Sequence, residues 1–149
     1  MKIEAHDGDI TDELWQLLLD ADPDRATVTR YLEGSTRLVA LDGEDIAGIA
    51  VVTTQGNQAE LKNIAVQPSY RGQGVAKQLI GQAKRAAAAG GATSMKVGTG
   101  NSSLAQLALY QKCGFRMHGI ERDFFRAYPE PIVENGIRCL DMVVLMAEL

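Results

Sequence analysis

The sequence predicts an α/β (α+β) domain on a mixed, mostly antiparallel sheet of about seven strands. Three observations predict it. Apolar residues recur with strand period from Thr36 to Ala65, broken only by glycine turns. Clear helical stripes flank that region on both sides. A helix then separates the third strand of that run from the next one, which lets those two lie parallel.

Each element can be read in order. Lys2 to His6 alternates weakly, as a short edge strand does. Thr11 is placed to cap a helix carrying Leu14, Leu17, Leu18 and Ala21 on one face, ended by Pro23. Asp24 opens a second helix through Arg25, Val28, Tyr31 and Leu32, closed at Gly34. Arg37–Leu41, Ile46–Val52 and Glu60–Val66 form a meander, with turns at Asp42-Gly43 and Gln55-Gly56-Asn57, and Pro68 halts it. The next helix carries Val75, Ala76, Leu79, Ile80, Ala83, Ala86 and Ala87 and is capped by Gly90-Gly91. Met95–Thr99 is a strand. Asn101-Ser-Ser starts a helix with Leu104, Leu107, Ala108 and Gln111, closed by Gly114. Phe115–Ile120 and Cys139–Leu149 are the last strands, and the intervening stretch Asp123–Gly136 is expected to be irregular.

The 149 residues, 46% apolar and 23% charged, fit one globular unit spanning 1–149. A chain of that length buries roughly 68–70% of its unfolded surface and needs no staple. Cys113 and Cys139 are too few for a disulfide framework and lack zinc spacing. No apolar run reaches the ~20 residues of a membrane span, and the acidic N-terminus has no signal core. Fifteen Lys+Arg against nineteen Asp+Glu, net −4, argue against nucleic acid as a partner. The expectation is a cytoplasmic protein with no membrane partner.

The sharpest chemical signal is Arg71-Gly72-Gln73-Gly74-Val75-Ala76, after a strand and at the opening of a helix. Small residues at Gly72, Gly74 and Ala76 leave room for a ligand against the backbone. The first-turn N–H groups and the helix dipole then suit a pyrophosphate. A Gly-x-Gly before a helix can also serve only as a tight turn. A dinucleotide fingerprint fails, because Lys77 stands where a small residue is needed, and no Gly-Lys-Ser/Thr of a nucleotide-triphosphate loop is present.

Arg71-x-x-Gly74-x-Ala76 resembles the Q/R-x-x-G-x-G/A signature of the GNAT N-acetyltransferases. The preceding Asn63-Ile-Ala-Val-Gln-Pro-Ser-Tyr-Arg-Gly is also similar to that family, as is Asn101-Ser-Ser-Leu-Ala-Gln-Leu-Ala-Leu-Tyr110-Gln-Lys-Cys-Gly114-Phe115. The element order agrees over nearly the whole chain. Glu134-Asn-Gly-Ile-Arg-Cys-Leu-Asp-Met is similar to poorly characterised bacterial members.

The resemblance implies the GNAT fold, with a V-shaped cleft where the strand before the loop splays from its parallel neighbour. It implies acetyl-CoA as co-substrate, no metal, and direct transfer of the acetyl group to an amine. Ile64, Ala65 and Val66 would offer backbone groups to the pantetheine arm. Arg71, Gly72, Gln73, Gly74, Val75 and Ala76 would hold the pyrophosphate. Lys77 and Lys112 would neutralise phosphate charge, or are plain solvated lysines. Asn101 would reach the pantetheine amide from the other wall. Tyr110 matches the tyrosine acid that protonates the leaving sulfur; otherwise it is a core aromatic. Glu60 stands where some members carry a glutamate base; otherwise it is an exposed strand-end carboxylate. Lys62 shares its face if no bulge intervenes. No nucleophile is needed, so Cys113 reads as a structural thiol, and His6 and His118 as incidental.

The resemblance also places the acceptor between the first two helices and the loop joining the last two strands. Phe124, Phe125 and Tyr128 beside Asp123, Glu130 and Glu134 suit a small cationic amine, although a solvated loop has the same composition. Phe124, Tyr128, Glu130 and Glu134 are the expected acceptor contacts. Family members often form homodimers. The alternative function is an acetyl-CoA-binding sensor without turnover.

Overall fold

The computed structural model describes residues 1–149. Strands β1 (Lys2–Ala5), β2 (Thr36–Asp42), β3 (Asp45–Gln55), β4 (Gln58–Val66), β5 (Ser94–Gly100) and β6 (Arg116–Glu121) are joined by helices α1 (Asp12–Ala21), α2 (Arg25–Leu32), α3 (Val75–Ala89) and α4 (Leu104–Lys112). A short hairpin β7 (Ile132–Glu134) and β8 (Ile137–Cys139) precedes β9 (Met142–Glu148). The main sheet has seven strands in the order β1-β2-β3-β4-β5-β9-β6. Only β4–β5 is parallel.

The helix ends follow local chemistry. Thr11 Oγ1 accepts the Leu14 N–H at 3.3 Å and caps α1. Gly34, Gly91 and Gly114, each with positive φ, turn the chain out of α2, α3 and α4. Gly43 and Gly56 do the same between the strands of the meander.

The sheet separates two apolar clusters. Leu14, Leu17, Leu18, Val28 and Leu32 of α1 and α2 pack on Val39, Ile49, Val51 and Ala65. Leu79, Ile80 and Ala83 of α3, with Tyr110 of α4 and Phe115, pack on the opposite face against Ala50, Leu61, Ile64, Val97 and Leu145.

Two expectations about the C-terminal region are corrected. The stretch Asp123–Gly136 is not irregular throughout, because it contains β7 and the turn into β8. Asn135 and Gly136 both take positive φ, 56° and 73°, the turn a two-residue hairpin needs. Nor does one strand run from Cys139 to Leu149. Leu140 and Asp141 leave the ladder, and β9 begins at Met142.

One irregularity shapes the centre of the sheet. Val51 pairs Asn63 while Val52 pairs Leu61, so Lys62 is an extra residue in β4. This bulge shifts the side-chain phase: Ala59, Leu61 and Ile64 all enter the α3-side core. Asn63 and Ala65 therefore face α1.

Candidate active site

β4 and β5 pair only over Gln58–Leu61 and Ser94–Val97. Beyond Leu61 the strands splay, since β5 continues along β9 up to Gly100 while β4 stays on β3. The edge of β4 from Asn63 to Val66 consequently has no strand partner on the β5 side. Ile64, Ala65 and Val66 lie on this open edge, and the Val66 carbonyl accepts the Arg71 Nε–H at 3.3 Å.

A 3₁₀ turn over Pro68–Tyr70 leads from β4 into the glycine loop. Gly72 and Gly74 have φ of 77° and 81°, a conformation costly for any other residue. A Cβ at either would meet no atom within 4 Å, so open space lies on that side of the loop. No backbone N–H from Gly72 to Lys77 finds a main-chain acceptor. Those donors stand at the N-terminus of the 15-residue α3, where the dipole adds positive potential. The residues present fit a pyrophosphate. Arg71 is held by Asp20 at 3.4 Å, and the Gln73 side chain by the Ser69 carbonyl at 3.2 Å, so the loop is braced by its own side chains. Val75 is buried, Ala76 packs against the core, and Lys77 is exposed in the first turn of α3. Lys112 is exposed at the far end of α4, next to the site where the Lys84 ammonium donates to the Cys113 carbonyl.

The splay opens a cleft of about 660 Å³. Glu60, Asn63 and Ile64 of β4, Tyr110 of α4, Tyr31 of α2 and Phe124 all line it. Tyr110 is 5% exposed, and its ring meets Phe115 edge-on at 5.9 Å. Burial, followed by the nearby Cys113, pushes its hydroxyl up to about 12, so it stays protonated through the neutral range. Glu60 Oε2 is 3.2 Å from Lys62 Nζ. A bulge does intervene, at Lys62 itself, yet the ion pair forms because the bulged residue is free of the ladder. Lys96 is in register with Glu60 across the parallel pair and lines the same cleft.

Several expected residues are placed otherwise. The Asn101 side chain is engaged away from the cleft: Nδ2 donates to the Arg138 carbonyl at 3.1 Å, and Oδ1 accepts from Leu140 N and Asp141 N at 2.8 and 3.0 Å. Those two N–H groups lie in the break before β9 and need an acceptor. Glu134 lines the cleft, but its Oε1 accepts the hydroxyls of Ser102 and Ser103, both at 3.1 Å. Glu130 is exposed and does not line the cleft. Phe124 and Tyr128 do line it, linked through Phe125 by edge contacts at 4.9 and 5.6 Å.

The sequence reading put the first two helices at the acceptor but named none of their residues. Asp20, Asp22 and Tyr31 line the cleft from α1, α2 and the turn between them, and Glu121 joins them from the end of β6. Asn63 is 4% exposed; its Nδ2 donates to Leu18 O at 3.0 Å and to the Tyr31 hydroxyl at 2.9 Å. Tyr31 in turn donates to Asp22 Oδ2 at 3.3 Å. The consecutive polar pair Lys62-Asn63, which breaks the alternation of β4, was the available signal. Among the side chains, no group of His, Cys, Asp and Glu is arranged to hold a metal ion, and no helix is long and apolar enough to cross a membrane.

A splayed parallel pair, a loop of free N–H donors and a tyrosine at the cleft define an acyltransferase that takes its acyl group from a coenzyme A thioester. Residues 8–115 match the acetyltransferase (GNAT) family, and the chain belongs to it. It is 48% identical over 140 residues to the uncharacterized N-acetyltransferase YvbK of Bacillus subtilis, covering 93% of this chain and 90% of that protein. The fold superposes on a Bacillus subtilis acetyltransferase in complex with CoA with a TM-score of 0.94 at 46% identity, covering 99% of this chain and 98% of the other. A GNAT family acetyltransferase from Elizabethkingia anophelis with acetyl-CoA bound gives 0.92 at 39% identity, covering 99% and 97%. Acetyl-CoA is the co-substrate of this enzyme, an acetyl-CoA-dependent acyltransferase.

Proposed function

We propose that the chain N-acetylates a small cationic amine, with Tyr110 as general acid and Glu60 as general base. The observation that carries this reading is that Tyr110, whose hydroxyl no group of the chain engages, lines the same cleft as Glu60. Bound acetyl-CoA supplies an acyl group activated as a thioester. The loop from Arg71 to Ala76 fixes its pyrophosphate, and the open edge Ile64–Val66 pairs with its arm, which leaves the thioester end toward Tyr110.

An ammonium cannot attack a carbonyl, so Glu60 takes its proton, directly or through water. The amine nitrogen then forms the new C–N bond as the C–S bond breaks, and it gives up its second proton to solvent as the amide forms. Tyr110 gives its proton to the departing sulfur, and is restored from Glu60 or solvent. Lys62 and Lys96 at the cleft floor disfavour a second positive charge there and so favour the neutral, nucleophilic amine. The aromatic and acidic walls attract the cationic acceptor before this step.

A panel of amines with acetyl-CoA, followed by thiol release, tests the proposal. Cationic amines should outperform neutral and anionic ones, and Glu60→Gln should lower kcat. Calorimetric binding of CoA without thiol release from any amine would instead leave a sensor without turnover.

A further inference from the structure

Resting on that N-acetyltransfer reading, we propose that the preferred acceptor is a dication, a linear diamine or similar chain. Its second ammonium sits at Asp22 against the rings of Tyr31 and Tyr128. The two ends of the cleft differ in charge. At the floor, Glu60 is paired by Lys62 at 3.2 Å, and Lys96 stands beside it in register. That end suits a neutral nucleophile and offers a cation little. The carboxylates of the opposite wall are not equally free. Asp20 is paired with Arg71, whereas Glu134, whose Oε1 accepts two serine hydroxyls, and Glu121 have no cationic partner. Asp22 has no Lys, Arg or His within ion-pair distance.

Asp22 is also held in place. Its Oδ1 accepts the Asp24 N–H at 3.4 Å and its Oδ2 accepts the Tyr31 hydroxyl, which accepts Asn63 Nδ2, and the same nitrogen donates to Leu18 O. This chain connects the α1–α2 turn to the bulge of β4. Asn63 lines the cleft and is 4% exposed, and its buried Oδ1 has no donor in the chain. Reversing the amide would set that oxygen against the Leu18 carbonyl, so the orientation is fixed by the partner. Tyr128 lines the same cleft as Asp22, and burial first, then the Asp22 and Asp24 carboxylates, raise its hydroxyl. A carboxylate bonded to the Tyr31 hydroxyl, in a cleft that Phe124, Phe125 and Tyr128 also line, is a seat for an ammonium by charge and cation–π contact.

The test compares kcat/KM for 1,3-diaminopropane, 1,4-diaminobutane and 1,5-diaminopentane with propylamine, butylamine and pentylamine. At least one diamine should exceed its monoamine by about tenfold, the size of a partly desolvated cation–π and charge contact. Raising the salt should narrow the ratio. Asp22→Asn should bring the ratio close to one, and Tyr128→Leu, on an exposed loop, should also reduce it. Tyr31→Phe retains the Asp22 charge and one ring face, so most of the ratio should remain. Monoamines equal to diamines, or a ratio that survives Asp22→Asn, would overturn the inference while leaving N-acetylation standing. Thiol release from neither series would instead sink the amine-transfer reading.

Discussion

The side-chain amide of Asn63 donates to the main-chain carbonyl of Leu18 at 3.0 Å, joining the bulged strand β4 to helix α1 across the buried face of the sheet. The bulge at Lys62 makes this contact possible, because it turns Asn63 away from the α3-side core that Leu61 enters. Asn63→Leu is nearly isosteric but removes both hydrogen bonds, leaving the Tyr31 hydroxyl without its donor and the Leu18 carbonyl with the Asp22 N–H alone. Stability should fall by about 1–3 kcal/mol in chemical denaturation. A change of a few tenths would mean the link is incidental.

Gly48 on β3 faces a second close approach to β4. A Cβ there would stand 2.7 Å from the Ala65 carbonyl and 3.1 Å from Leu79 Cδ1. Backbone cannot give way as a side-chain end can, so Gly48→Ala should cost roughly 1–3 kcal/mol. Because Ala65 lies on the open edge of the cleft, CoA affinity measured by calorimetry should weaken as well.

The glycine loop can be tested with a matched pair. Gly74→Ala and Gly74→Trp share the strain of a side chain at φ 81°, but only tryptophan fills the space beside the loop. Tryptophan should raise the CoA Kd far more than alanine, with similar melting temperatures. Equal losses would assign the effect to strain rather than to blocked access.

Tyr110→Phe preserves the ring against Phe115 and removes the proton. Turnover should fall by roughly 10²–10⁴-fold, with the CoA Kd retained. With the wild-type hydroxyl pushed up to about 12, kcat should show no decline from this group below pH 10.

The same group sets a stability window. A tyrosine raised on folding contributes stability that is fully present below its unfolded value of 10.0 and is lost as pH rises through about 12. The melting temperature should therefore drop across that interval, and Tyr110→Phe should make the decline shallower.

Local physics made much of the chain legible. Apolar periods of helix and strand, Thr11 as a cap, and glycines where φ must be positive marked nearly every element of the main sheet. The glycine loop could be read for the same reason: its donors come from consecutive residues, so their convergence is a property of the sequence itself. The Asn135-Gly136 turn was equally local and belonged to the hairpin, although the surrounding prolines and aromatics disguised it.

What lay beyond the sequence depends on contacts between distant residues. The bulge at Lys62 is one extra residue measured against β3, and nothing in the strand alone reveals which partner it faces. Asn101 was drawn toward the coenzyme by its motif, yet the orphan N–H groups of Leu140 and Asp141 occupy its side chain. Glu134 was expected at the acceptor, and two serine hydroxyls of the segment before α4 hold it. The sequence by itself determined the strands, the helices and the anion-binding loop, since short-range sterics and hydrogen bonding suffice for these. Only the tertiary structure decided that Asp22, Tyr31 and Asn63 form one wall of the cleft, because a hydrogen bond across 32 or 45 residues requires the sheet and helices to have packed first.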